Sequence, residues 1–130
     1  MKTERISWDA ASGMLLGLAI GDALGASLEF HSSREPENYL REYKSGGPHN
    51  LPAGCWTDDT SMALAIAEGI LERNGEFDPH LIMENFVSWM TDGEFSSTGT
   101  CFDIGMTCQM ALGKYRKDKS NPYCGPTDPY

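Results

Sequence analysis

Glycine recurs at every fourth position through an apolar segment, at Gly13, Gly17, Gly21 and Gly25. No other feature constrains the chain as much. Positions four apart in a helix lie along one slowly drifting stripe. Each glycine weakens an isolated helix by about 1 kcal/mol relative to alanine, so four in register need a tertiary reason. The simplest is another helix, or a ligand, pressing against bare backbone. Leu15, Leu16, Leu18 and Ile20 cover the other faces, which predicts a helix from about Ser7 to Ala26 that is buried nearly all round. A lone acid, Asp22, sits near its far end. Such a carboxylate must find partners, and either the backbone amides of a following turn or a supporting role behind a metal site would provide them.

The same segment has the look of a secretory signal, with Met1-Lys2 ahead of it and small residues from Ala23 to Ser27. Glu4 and Asp9 disrupt the basic lead, however, and Asp22 interrupts the apolar run. That acid and the short length also argue against a membrane span. Cys55, Cys101, Cys108 and Cys124 form no C-x-x-C pair and are sparse for a disulfide-stapled secreted domain. A reduced, cytoplasmic protein without a membrane partner is expected. Its 130 residues suit one domain, and a net charge of −9 disfavours a nucleic-acid partner.

Beyond Leu28-Glu29-Phe30-His31 the chain is polar and rich in turn formers up to Asn50. A long connection of this kind within a compact domain often serves as a lid or substrate loop. Ser61 to Arg73 then carries Met62, Ala63, Ile66, Ala67 and Ile70 at helical spacing, and Asn74-Gly75 forms a stop. Asp78-Pro79 opens the next helix with a cap and a first-turn proline. Thr91 to Thr100 is crowded with hydroxyls and holds two glycines, a composition suited to a linker or to wrapping a phosphate or sugar. A last helix follows Cys101-Phe102-Asp103-Ile104-Gly105, with Asp103 as a candidate cap. The expectation is all-α: a compact bundle of four or five helices without a sheet.

Between the polar connection and the apolar run of Ser61 to Arg73 lies Trp56-Thr57-Asp58-Asp59-Thr60, a helix start with two hydroxyls and two carboxylates. Thr57 or Asp58 would serve as an N-cap, with an acid at the positive end of the helix dipole. Yet one cap is enough, and neighbouring carboxylates repel unless a cation or a donor lies between them. Hard cations such as magnesium, manganese or calcium take carboxylate and hydroxyl oxygens of this kind. The spacing alone leaves both uses open.

Three stretches taken together resemble a known family. Gly21-Asp22-Ala23-Leu24-Gly25 followed by Glu29-Phe30, then Trp56 to Met62, then Cys101 to Gly105, occur in the order and spacing of the ADP-ribosylglycohydrolases. The branch that reactivates dinitrogenase reductase and hydrolyses ADP-ribosylarginine is the most similar. The resemblance favours the metal reading of the helix start and implies an all-α fold with a binuclear Mg2+ or Mn2+ centre. It implies removal of ADP-ribose from a modified protein, usually at arginine.

By position, Thr57, Asp58 and Asp59 match the family's N-terminal metal ligands, and Glu29 matches its acidic flap residue. Asp103, with Ser97, Thr98, Gly99, Cys101 and Phe102, matches the loop around the ribose and phosphates. Asp22 would support the site from behind. Cleaving a glycosidic bond builds positive charge on the sugar, so carboxylates stabilise the transition state and can move protons, and Glu29 or Asp103 would do that work. Family members continue into a Gly-Asn-Gly-x-Met-Arg segment and an Asp-x-Asp-Thr motif that complete the metal shell. Residues 1–130 hold neither, which implies the N-terminal part of one domain, inactive alone and completed by a companion C-terminal fragment. A different class of function also fits: a catalytically inactive protein that binds ADP-ribose or blocks an ADP-ribosyltransferase as an immunity factor.

Overall fold

A computed structural model describes residues 7–127. Its elements are α1 (Trp8–Gly25), a 3-10 turn at Ala26–Leu28, another at Pro36–Asn38, α2 (Asp58–Glu72), α3 (Pro79–Asp92) and α4 (Met106–Lys117). Among the described residues there is no strand, only a lone antiparallel pairing of Gly46 with Leu51. The all-α expectation holds. Two compact units meet in sequence between Thr60 and Ser61, and α2 begins in the first and continues into the second.

In the first unit, the Ser7 hydroxyl accepts the Ala10 N–H at 3.1 Å and starts α1, with Asp9 in the first turn where the dipole favours it. The helix runs over the predicted span. Its expected burial is overturned: Trp8 is 85% exposed, Leu16 61% and Ile20 54%, and Ala23 alone is buried. A side chain added at Gly13, Gly17, Gly21 or Gly25 would meet nothing within 4 Å. The physical reason is supply. The unit's other segments are short turns and irregular chain, which offer too little apolar surface to sheathe a helix of 18 residues. By length and composition alone, Trp8–Leu28 could cross a membrane, but its acid is committed elsewhere.

That acid is Asp22, and it holds the start of α2. The Thr57 N–H reaches its two oxygens at 3.0 and 3.1 Å, and the Thr57 hydroxyl donates at 2.7 Å. The Thr60 N–H and hydroxyl donate at 3.0 and 2.6 Å. A helix start leaves its first N–H groups without intrahelical partners. Here a carboxylate on α1, 35 residues before Thr57, takes the Thr60 N–H of that turn and the Thr57 N–H just ahead of it.

The second unit is held by apolar packing. Ala65, Ile82, Trp89, Leu112 and Tyr115 are buried. Gly69 lets α2 approach α3 closely, since a Cβ there would lie 2.9 Å from the Ile82 Cγ1, and the Asn85 amide donates to the Ala65 carbonyl at 3.0 Å. As predicted, Asn74 and Gly75, both with positive φ, follow the end of α2 at Glu72, and Asp78 caps α3 through the N–H groups of His80 and Leu81. Tyr115 on α4 donates to Glu84 on α3 at 2.9 Å. Burial first, then this bond to Glu84, pushes the phenol up to about 12. Asp103 is not the N-cap of α4, which is Gly105 with no side-chain bond, because the acid lies two residues upstream of that position.

Removing the Asp22 carboxylate would strand two backbone donors and two buried hydroxyls. Asp22→Ala is expected to lower unfolding stability by about 2–4 kcal/mol in urea denaturation at neutral pH. A loss under about 0.5 kcal/mol would show that the cap contributes no more than an exposed one.

Candidate active site

The capped start of α2 forms part of an open cleft of about 530 Å³ within the first unit. Gly17, Gly21 and Gly25 give it a floor of bare backbone, and Glu29, Thr57 and Asp59 bring oxygen to it. The glycine stripe, predicted to lie against a helix or ligand, therefore borders open space large enough for one. Thr57 is buried and its hydroxyl points to Asp22, whereas Asp59 is exposed.

Asp58 lies half-buried beside them. Burial holds its carboxyl above the ordinary aspartate value of 3.8, and the charges of Asp59, Glu29 and Asp22 push it the same way against a smaller lowering from its own backbone N–H. Four acids thus crowd one helix start, and among the described residues no lysine or arginine pairs with Asp58 or Asp59. A donor set of anionic oxygens with uncompensated charge fits a hard divalent cation. It fits as part of a shell: no three His, Cys, Asp or Glu among the described residues are gathered closely enough to hold one ion.

Glu29 is held by a residue that the sequence did not single out. His49 Nε2 lies 3.0 Å from the Glu29 Oε2, across 20 residues of sequence, in a stretch whose composition reads as turn formers. No local pattern announces such a pairing.

The other residues suggested by the resemblance belong to the second unit. The loop after α3 closes on itself: Gly93 adopts φ 76° against the Gly99 carbonyl, leaving no room for a side chain. The Thr98 hydroxyl donates to the Thr100 carbonyl at 3.2 Å and contacts the Ser96 hydroxyl at 3.2 Å. Ser97, Cys101, Phe102 and Asp103 are half-buried, and Gly99 is exposed. All four cysteines are free thiols.

With its folded pKa raised, the Asp58 charge costs stability above the unfolded pKa and costs nothing below it. Asp58→Asn should therefore be more stable than the parent at pH 7 in chelator, with the gain fading as pH falls towards 3.8 and gone below it. Denaturation series at several pH values check this, and a variant weaker at every pH contradicts it.

The family model described as ADP-ribosylglycohydrolase matches residues 2–128. The ADP-ribosylarginine hydrolase Tri1 of Serratia proteamaculans is 45% identical over 97% of this chain and 33% of its own length. The ADP-ribosyl-(dinitrogen reductase) glycohydrolase of Rhodospirillum rubrum is 36% identical over 82% of this chain and 35% of its own. A solved ADP-ribosylglycohydrolase-related protein complex superposes with a TM-score of 0.66 at 43% identity, over 88% of this chain and 35% of that one. The chain spans about a third of the length of the curated relatives it matches. It belongs to the ADP-ribosylglycohydrolase family.

Proposed function

We propose that the complete protein is a metal-dependent hydrolase that removes ADP-ribose from modified protein side chains, arginine foremost, in the cytoplasm. This chain would supply about half of the site, with a companion C-terminal part supplying the rest. The observation that carries the proposal is the gathering of Glu29, Asp58 and Asp59 at an α2 start already capped by Asp22, in a chain of this family. The ADP-ribosylarginine hydrolases among its relatives support arginine as the modified residue.

Thr57, Asp58 and Asp59 are the residues that would hold a magnesium or manganese pair, whose positive charge orients ribose hydroxyls and makes a water molecule more acidic. The chain's own residues have distinct tasks. Asp22 fixes the backbone of the α2 start, so that the two acids that follow Thr57 are presented in one arrangement. The glycine floor admits a bulky group without clash. As the bond from the ribose to the guanidinium nitrogen breaks, positive charge grows at the anomeric carbon, and the Glu29 carboxylate in the cleft stabilises it. Glu29 or Asp103 passes the proton that the departing nitrogen needs and takes one from the attacking water. Ser97 to Phe102 would hold the ribose and phosphates. The products are free ADP-ribose and an unmodified side chain.

The test is release of ADP-ribose from ADP-ribosylated arginine substrate by the complete protein. Release should stop in chelator and resume with Mg2+ or Mn2+, and Asp58→Asn or Asp59→Asn should lower it roughly 100-fold or more. The isolated 130-residue chain should show no micromolar metal binding by isothermal titration and no turnover. Release indifferent to chelator would overturn the metal, and no release together with blockage of an ADP-ribosyltransferase would replace the hydrolase with a binding protein.

A further inference from the structure

Several unusual features of the first unit converge on Glu29. The loop from Gly46 to Leu51 is closed by reciprocal backbone bonds of 2.8 and 2.9 Å. It presses Gly47 against the chain after α1 so tightly that a Cβ there would lie 2.7 Å from the Ser27 Cα. Gly47 also has φ 70°, and Asn50, a residue with a side chain, adopts φ 52°. This packing delivers His49 to Glu29.

From the other side, Phe30 takes φ 61° directly after the acid. A bulky residue in the left-handed region costs energy and persists only where its surroundings demand it. The Phe30 ring meets His49 edge-on, with centroids 6.3 Å apart, and the His31 Nδ1 bonds the Glu29 carbonyl at 2.9 Å.

Glu29 lines the cleft beside groups of like charge. The negative charge of Asp58 acts on it, and like charges push apart. Its side chain is 30% exposed, so rotamer entropy also favours swinging out. The His49 contact opposes both. A carboxylate only accepts, so the Nε2 at 3.0 Å must carry the proton and donate it. Oε2 is engaged in this bond, and Oε1 makes no hydrogen bond among the described residues.

We propose that His49 is a positioning residue: it grips one oxygen of Glu29 and holds the carboxylate in the cleft, leaving the other oxygen for substrate. The proposal rests on the hydrolase reading for its catalytic consequence and on geometry for the grip itself.

The experiment compares His49→Ala, His49→Gln and Glu29→Gln in the complete protein, with ADP-ribosylated arginine as substrate. His49→Ala should lower kcat roughly 10- to 100-fold and leave KM within about twofold. Gln can donate from nearly the same point as Nε2, so His49→Gln should recover most of the rate. The double variant His49→Ala with Glu29→Gln should be no slower than Glu29→Gln alone, as for two residues acting as one unit. In parallel, the side-chain carboxyl carbon signal of Glu29 should shift in His49→Ala and return in His49→Gln, with unchanged circular dichroism. An unaltered kcat in His49→Ala, a Gln variant as slow as the Ala variant, or losses that multiply would overturn the proposal. If the parent releases no ADP-ribose, the hydrolase reading fails and the carbon signal alone decides: a Glu29 resonance indifferent to His49→Ala sinks the grip.

Discussion

The carboxylate of Asp22 organises the first unit. It lies near the end of a largely apolar helix, and it takes two N–H groups and two hydroxyls from the start of α2. Charge-assisted bonds at these lengths are stronger than neutral ones, and four on one side chain set the position of α2's first turn. The consequence is chemical as well as structural. Capping is the ordinary employment of an acid at a helix start, and here an acid from another element takes part in it. Asp59 brings its charge to the cleft, and the raised pKa of Asp58 records its burial first and the neighbouring charge of Asp59 second.

The two units are stabilised in different ways. In the second, buried apolar and aromatic side chains fill the space among α2, α3 and α4, with Trp89 and Tyr115 fully enclosed. In the first, long-range polar bonds and a tight glycine contact do the positioning: Asp22 to the threonines, His49 to Glu29, Gly47 against Ser27. Hydrogen bonds are directional where apolar contact is not. A unit held this way can fix individual carboxylates while leaving the faces of α1 open.

Features set by near neighbours were legible in the sequence. Asp78-Pro79 and Asn74-Gly75 announced a helix start and a helix stop because capping depends on residues within one turn. Family membership was legible because three short stretches keep their order and spacing. Three other features either differ from what the sequence predicts or leave no mark in it. The apolar pattern of α1 reported a capacity for burial and not its cover, Asp103 stood too far upstream to cap α4, and His49 looked like any turn residue until the loop folded back.

The sequence by itself determined the helical class, the helix limits and the oxygen-rich composition of the α2 start, since periodicity, caps and residue chemistry are local properties. Only the tertiary structure decided that Asp22 caps α2, that the glycine stripe borders a cleft, and that His49 meets Glu29. Each of these joins groups roughly 20 to 40 residues apart, and such contacts depend on chain reversal and on competition among many possible polar partners, which no run of neighbouring residues encodes.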